Sequence, residues 1–153
     1  MNGSGHLPVL RDEVLEAIAP RDGEIFVDGT FGGGGYSTAL LETARCSVYG
    51  IDRDPTAIAR GAAMATRFSG RLTLIQGTFG SMSELMAERG VSAVDGIALD
   101  IGVSSDQIDQ AERGFSFQKD GPLDMRMGGT GISAAGIVNT YSEQQLAGIL
   151  YVF

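Results

Sequence analysis

Short apolar segments alternate with longer amphipathic segments along the first 100 residues of the chain. Four apolar segments have the length of β-strands and cover residues 24–28, 47–52, 72–76 and 94–100. Three stretches of helical character, each long enough for a crossover connection, lie between them at residues 37–44, 55–68 and 81–89. Strands that alternate with such helices are typical of βαβ units, so the pattern predicts an α/β fold with a doubly wound parallel sheet.

The two flanks of this region have different patterns. Helical spacing over residues 11–18 predicts an N-terminal helix that ends before Pro20. Residues 102–127 have neither a helical nor a strand period and are interpreted as an ordered functional loop, whereas residues 143–150 are again helical in character. The pattern therefore divides the chain into an N-terminal segment with its helix, a doubly wound half and a third region, at residues 1–23, 24–105 and 106–153.

A polar residue ends each predicted strand. Three strands end on a carboxylate, at Asp28, Asp52 and Asp100, and the remaining strand ends on Gln76. In a doubly wound sheet, ligands bind beyond the carboxyl ends of the strands, where the strand order reverses. We therefore expect the chemistry of the protein at these strand ends.

The predicted strand at residues 94–100 would lie at the edge of a four-stranded sheet. Its apolar composition is typical of a strand that is paired on both sides. Either further strands are missing or another chain covers this edge, so we expect a homodimer or another partner there.

Composition narrows the class of protein. The chain has 153 residues, of which 43% are hydrophobic and 20% charged, as expected of one globular domain. The net charge of -8 does not indicate attraction to nucleic acid. No apolar run is long enough for a signal peptide or a membrane span, and the single Cys46 cannot form an internal disulfide. We therefore expect a cytoplasmic protein in which Cys46 is a packed or surface thiol.

The glycine-rich segment after the first predicted strand indicates the ligand class. Its spacing does not match the G-x-G-x-x-G pattern of dinucleotide sites, and no Gly-Lys-Ser/Thr follows as in a P-loop. Glycines at this place let backbone N–H groups and a helix N-terminus face a carboxylate or phosphate. Asp28 followed by glycines within residues 29–35 suits a ligand with an amino-acid end, such as S-adenosylmethionine. A purely structural glycine turn is the alternative.

Three residues at later strand ends extend this candidate site. Asp52 lies about twenty residues past the glycines, where a carboxylate can accept both hydroxyl protons of a ribose. Phe79 follows the third predicted strand and either stacks on an adenine or packs in the core. Asp100 borders the reacting end of such a ligand, where it can hold an ammonium group or an incoming amine.

Two local signals predict helix starts beside these residues. Asp54 before Pro55 is expected to cap the following helix. Ser104 and Gln107 have the spacing of a capping box that opens a short helix.

The most specific functional signal is a set of motifs spread along the chain. They are His6-x-Pro-Val-Leu10, Asp28-Gly-Thr-Phe-Gly-x-Gly-Gly35, Asp52-Arg-Asp-Pro55, Asp100-x-Gly-Val-Ser-Ser105, Glu112-Arg-Gly-Phe-Ser-Phe117 and Gly121-Pro-Leu-Asp-Met-Arg-Met127. Together they resemble the MraW (RsmH) methyltransferases, which modify N4 of a cytidine in the 16S RNA of the small ribosomal subunit.

The resemblance implies a class I methyltransferase with a Rossmann-like fold and S-adenosylmethionine as cofactor, acting on ribosomal RNA. It implies a helical insertion that starts within residues 106–153 and is truncated where the chain ends. The family usually has His at the position of Tyr36 and a basic residue at that of Gly33. The residues that it implies as cofactor contacts are Gly34, Gly35, Tyr36, Asp52, Phe79, Asp100 and Gln107.

The expected reaction is transfer of a sulfonium methyl group to an exocyclic amine. Because the cofactor is already a strong electrophile, alignment carries most of the rate, and Asp100 is the candidate catalytic residue that orients the amine. The alternatives are a non-catalytic cofactor-binding fragment or truncated pseudoenzyme, and a small-molecule methyltransferase.

Residues of the third region are candidates for contacts with RNA. Phe115, Phe117 and Met125 either contact an unstacked base or form a packed plug over the cleft. Arg113 and Arg126 are candidates for phosphate contacts.

Overall fold

The computed structural model describes Pro8 and residues 10–152, so the motif residue His6 lies outside the described part of the chain. The strands of its sheet are β1 (Ile25–Asp28), β2 (Ser47–Asp52), β3 (Leu72–Gln76) and β4 (Gly96–Ala98). The α-helices in the described residues are α1 (Arg11–Ile18), α2 (Gly35–Thr43), α3 (Pro55–Arg67), α4 (Met82–Ala87), α5 (Ser105–Asp109), α6 (Ala134–Thr140) and α7 (Glu143–Val152). Short 3₁₀ helices cover Phe79–Ser81 and Ala111–Arg113. The chain divides into two compact units between Gly102 and Val103.

The first unit contains the sheet, and all paired strands are parallel, which confirms the predicted doubly wound α/β fold. The spatial order is β3-β2-β1-β4, so β2 and β3 lie on one side of β1 and β4 lies on its other side. Asp28 at the end of β1 is paired with Gly50 of β2 and with Ala98 of β4. The strand order therefore reverses beside Asp28, at the position where such sheets bind ligands.

Both faces of the sheet are covered by apolar side chains. Phe26 of β1 packs into one buried cluster, and its neighbour Val27 packs into another on the opposite face. Burial on both faces explains why the strands are almost continuously apolar in sequence. Cys46 is a packed thiol within the first cluster, where burial raises its pKa.

β4 occupies the edge of the sheet, as predicted, and within the described residues it pairs only with β1. The strand is shorter than the predicted segment 94–100 because neighbouring polar groups replace ladder bonds at both of its ends. The Asp95 carboxylate accepts the N–H of Ile25 over 2.8 Å, and the N–H of Asp100 donates to Oγ1 of Thr30 over 2.7 Å. Ile97 within β4 is 46% exposed, and Leu99 directly after the strand is 43% exposed.

Two predicted helix starts are confirmed, and a third differs from the prediction. Asp54 caps α3 by accepting the N–H of Thr56 over 2.9 Å, and Ser104 and Gln107 form both bonds of the capping box at α5. The helix predicted at residues 37–44 instead begins at Gly35. It begins earlier because Gly34 takes a left-handed conformation, with a φ of 75°, and starts the helix within the glycine run.

The second unit contains α5, α6 and α7, and a long segment connects α5 to α6. The loop predicted at residues 102–127 contains α5 and the 3₁₀ helix Ala111–Arg113, and its remaining residues have no regular structure. Side chains brace this segment internally. The Arg113 guanidinium donates to the carbonyl oxygens of Arg126 and Met127, over 3.3 and 2.9 Å. Across residues 8 and 10–152, no helix has the length and apolar character required to cross a membrane.

Candidate functional site

Asp28 fastens the end of β1 to the start of α2. Its Oδ2 accepts the N–H of Ser37 over 3.1 Å and the Ser37 hydroxyl over 2.7 Å, and its Oδ1 accepts the N–H of Thr30 over 3.4 Å. Burial raises the pKa of Asp28 from 3.8 to about 6, against the lowering effect of these bonds, and the charge of Asp52 raises it further. The glycine loop, defined here as residues 29–35, is therefore closed at both of its ends by one buried carboxyl group.

Asp52 holds the middle of the glycine loop against the end of β2. Its Oδ2 accepts the N–H of Gly32 over 2.7 Å, and its Oδ1 accepts the N–H of Asp54 over 2.8 Å. A carboxylate has about four acceptor positions, so each oxygen keeps a position for a further donor. The carboxylate is thus fixed in place and can still accept two hydroxyl groups.

The glycines of the loop differ in whether the surrounding structure leaves space for a side chain. An added Cβ at Gly34 would lie 2.7 Å from Cε of Met64, and one at Gly35 would lie 2.2 Å from Cγ of Pro8. An added Cβ at Gly33 would meet no atom within 4 Å. Close packing therefore requires glycine at Gly34 and Gly35, whereas the position of Gly33 is open to a side chain.

Phe79 lies beside the loop in the 3₁₀ helix after β3. An added Cβ at Gly29 would be 3.2 Å from Cβ of Phe79 and 2.5 Å from Cδ2 of Leu99, so Gly29 lies against both residues. Phe79 is 41% exposed, which contradicts the alternative of a core phenylalanine.

Asp100 lies on the other side of β1 from Asp52. Its backbone is fixed by the bond to Thr30, and the N–H of Gly29 donates to the carbonyl oxygen of Ala98 over 2.9 Å, while the Asp100 side chain is exposed. Burial, followed by the charges of Asp100 and Asp28, raises the pKa of the Tyr36 phenol. Tyr36 in the first turn of α2 is therefore within electrostatic reach of both carboxyl groups.

The first unit thus brings six of the seven predicted cofactor contacts to the carboxyl ends of its strands. They are Gly34, Gly35, Tyr36, Asp52, Phe79 and Asp100. The seventh, Gln107, belongs to the second unit, where it is buried and its Oε1 accepts the N–H of Ser104 over 3.0 Å. Its predicted contact with the cofactor stays a prediction.

Sequence reasoning missed three residues that shape this site: Thr30, Phe31 and Ser37. Thr30 contacts both Asp28 and Asp100, Ser37 is the main partner of Asp28, and Phe31 is buried beneath the loop. The available signal was their context. A hydroxyl residue or a large apolar residue in or beside a run of glycines indicates a specific contact, because a flexible turn alone would not require such a side chain.

The RNA-contact candidates of the second unit differ in accessibility. Phe117 is fully exposed, so the packed-plug alternative does not apply to it. Arg126 donates from Nε to both oxygens of Asp124, each over 3.0 Å, and its hydrogen bonds lower the pKa of Asp124 to about 2. Arg113 and Arg126 therefore have partners within the unit, and a phosphate would have to compete with them.

The fold and site define a class: a Rossmann-like α/β protein with a glycine loop and carboxylates at the carboxyl ends of its strands. The model of the MraW methylase family matches residues 3–153. The chain therefore belongs to the MraW methylase family, which confirms the resemblance seen in its motifs.

Curated relatives agree with this membership. The ribosomal RNA small subunit methyltransferase H of Parvibaculum lavamentivorans is 61% identical over 152 residues, which are 99% of this chain and 45% of that protein. The protein of the same name from Rhodospirillum centenum is 62% identical over 146 residues, or 95% of this chain and 44% of that protein. The one from Acidiphilium cryptum is 58% identical over 151 residues, or 99% and 48%. The chain thus spans less than half the length of these relatives.

Proposed function

We propose that this chain forms the S-adenosylmethionine site of an enzyme that methylates small-subunit ribosomal RNA, with N4 of a cytidine as the acceptor. Membership of a methylase family and the names of the relatives support the reaction class. The observation that carries the proposal is the 2.7 Å bond between Gly32 and Asp52, because it holds a ribose-type carboxylate against a glycine loop. The non-catalytic fragment or pseudoenzyme is not favoured by relatives that are named as enzymes.

The residues at the strand ends fit this cofactor. Asp52 keeps one free acceptor position on each oxygen for the two ribose hydroxyls. The exposed ring of Phe79 is available to stack on an adenine, and the backbone at Gly34 and Gly35 starts α2, where an amino-acid carboxylate is favoured. When bound, S-adenosylmethionine supplies an electrophilic methyl group on its sulfonium.

Asp100 is the candidate residue for orienting the acceptor amine. Its exposed carboxylate can accept a hydrogen bond from an N–H of the amine. The bond from the Asp100 N–H to Thr30 fixes the backbone position from which that side chain extends. An amine that is held in line needs little further assistance, since positioning alone supplies a large part of the rate. The amine nitrogen must also lose a proton after methylation, and a carboxylate next to it can receive that proton or pass it to water.

Titration calorimetry with S-adenosylmethionine and S-adenosylhomocysteine tests the cofactor site. We expect binding by the wild-type chain and a loss of about tenfold or more in affinity for Asp52→Ala, because hydrogen bonds to a charged group contribute about 1.5–3 kcal/mol. Asp12→Ala, which removes an exposed carboxylate from α1, serves as the matched control and should bind normally. Absence of binding by a folded wild-type chain would contradict the proposal.

Transfer of a labelled methyl group to isolated small ribosomal subunits tests the reaction. Mass spectrometry of the digested RNA should find the label on N4 of one cytidine. Label at another atom would refute the N4 assignment, and label on a small molecule but not on RNA would support the small-molecule alternative.

A further inference from the structure

Phe31 is the large apolar residue within the glycine loop, and its side chain points into the protein. Its exposure is 3%, and it belongs to the buried cluster that includes Leu40 and Phe68. Its backbone stays in the loop: the N–H donates to the carbonyl oxygen of Ile51 over 3.0 Å, and the carbonyl oxygen accepts the N–H of Gly34 over 2.6 Å. The loop is therefore anchored in the core through this ring.

Three glycines surround the ring. An added Cβ at Gly50 of β2 would lie 2.6 Å from Cδ2 of Phe31, one at Gly61 of α3 would lie 2.6 Å from Cε1, and one at Gly34 would lie 2.8 Å from Cζ. Neither Gly50 nor Gly61 has a positive φ, so their backbone conformation does not require glycine. Glycine inside a helix costs about 1 kcal/mol relative to alanine, so Gly61 needs another reason. That reason is the space for this ring and for Leu74, whose Cδ1 would lie 2.7 Å from an added Cβ.

The two residues beside Phe31 in the chain make the hydrogen bonds that connect the loop to the strand ends. Thr30 donates its N–H to Asp28 and accepts the N–H of Asp100, and Gly32 donates its N–H to Asp52. The direct neighbours of Phe31 thus bond the loop to the Asp28 and Asp52 carboxylates and to the backbone N–H of Asp100. Interiors pack too tightly for the ring to shift without moving these neighbours.

We propose that Phe31 is a positioning residue for the cofactor site: its ring, held between Gly34, Gly50 and Gly61, fixes the glycine loop against the strand-end carboxylates. It touches no ligand and acts through Thr30 and Gly32. In naming S-adenosylmethionine as the ligand, this inference rests on the proposed function.

Affinity for S-adenosylmethionine in Phe31→Leu is the first measurement, with Phe68→Leu as the matched control from the same buried cluster. Both substitutions remove the same atoms from the core, so both should lower stability. Only Phe31→Leu should weaken binding, by about tenfold, because displacement of a site by about 1 Å has effects of this size or larger. Equal affinities in the two folded variants would overturn the inference.

Gly61→Ala tests the same ring from its other side, with no change in the loop sequence. The added methyl group would crowd the ring and should also weaken binding about tenfold, although alanine favours the helix. Gly148→Ala is the matched control, because Gly148 lies in α7 with no atom within 4 Å of an added Cβ. Adding Gly61→Ala to Phe31→Leu should produce a smaller loss than Gly61→Ala alone, since the contact with the ring is removed and only that with Leu74 remains. Additive losses would contradict a shared mechanism.

Hydrogen exchange without ligand separates failure of this inference from failure of the proposed function. The amides of Gly32 and Gly34 should exchange about tenfold faster in Phe31→Leu than in wild type, and at the wild-type rate in Phe68→Leu. If the wild-type chain binds no S-adenosylmethionine while these rates differ, the ligand is wrong and the positioning role stands. If the rates are equal in both leucine variants, the positioning role is wrong whatever the ligand. Should Phe31→Leu fail to fold, Gly61→Ala against Gly148→Ala gives the same decision.

Discussion

Asp52 and Asp100 follow the two strands that flank β1, but the structure holds their carboxylates in different ways. The Asp52 carboxylate accepts two backbone N–H groups, from Gly32 and Asp54. The Asp100 carboxylate is exposed and accepts no hydrogen bond from the described residues, although its backbone is fixed by Thr30. One side of the site is thus arranged before a ligand arrives, and the other retains rotational freedom.

This difference matches two different tasks. A carboxylate that is already oriented binds a ligand with less loss of conformational entropy, which suits the recognition of a constant group such as a ribose. A carboxylate that can rotate suits the acceptor side, where the incoming group must enter and leave.

The largest expected effect concerns Asp28, which lies between the two sides. Its pKa is raised from 3.8 to about 6, so the folded protein binds more protons than the unfolded chain between these values. Its contribution to stability is therefore fully present below pH 4 and is lost as the pH rises to about 6, by roughly 3 kcal/mol. Urea unfolding between pH 4 and pH 7 should show this decline in wild type relative to Asp28→Asn. A difference that does not change with pH would contradict the raised pKa.

The same titration sharpens the contrast between the two sides. Asp52→Asn should move the decline to lower pH, because the Asp52 charge is among the causes that raise the pKa of Asp28. Asp100→Asn should leave the decline in place, because Asp100 is not among those causes. Equal shifts in both variants would mean that the two sides are electrostatically equivalent.

The next effect separates affinity from rate. Asp52→Asn should weaken cofactor binding by about tenfold, because the amide keeps its shape but loses the charge and one acceptor. Asp100→Asn should lower the methyl transfer rate about tenfold and change the affinity by less than about threefold. Calorimetry and single-turnover transfer to small subunits measure the two quantities. A large loss of affinity in Asp100→Asn would instead assign Asp100 to the ammonium group of the cofactor.

A smaller effect is expected from Thr30→Val, which keeps the shape of the side chain and removes the acceptor for the N–H of Asp100. Loss of this bond should cost about 1 kcal/mol of stability and lower the transfer rate more than the affinity. Thr43→Val is the control, since Thr43 is exposed and its hydroxyl donates to the carbonyl oxygen of Ala39 within the same helix. Comparable changes in both variants would show that Thr30 does not position Asp100.

Much of the fold and the strand-end carboxylates could be predicted because they depend on local rules. Alternation of apolar segments places Asp28, Asp52 and Asp100 at the ends of parallel strands, whatever the details of packing. The caps at Asp54 and Ser104 were predictable for the same reason, since each involves residues within one turn.

The remaining features depend on contacts between residues distant in sequence. Gly50 and Gly61 leave space for the ring of Phe31, and no local sequence pattern predicts that these glycines pack against a residue elsewhere in the chain. The early start of α2 depends on the left-handed conformation of Gly34, one of several glycines that were equivalent in sequence. Glycine runs predict a loop, but only packing decides which glycine ends it.

The smallest effect concerns that distinction between glycines. Gly33 is exposed, has no positive φ and has no atom within 4 Å of an added Cβ, so Gly33→Ala should change stability by less than about 0.5 kcal/mol and leave cofactor affinity unchanged. Gly34→Ala would combine a φ of 75° with a Cβ only 2.7 Å from Met64, so it should lower both quantities clearly. Thermal unfolding and calorimetry on the two variants measure the contrast. Equal losses would mean that the loop requires flexibility throughout, and the fixed arrangement assigned here to the Asp52 side would be wrong.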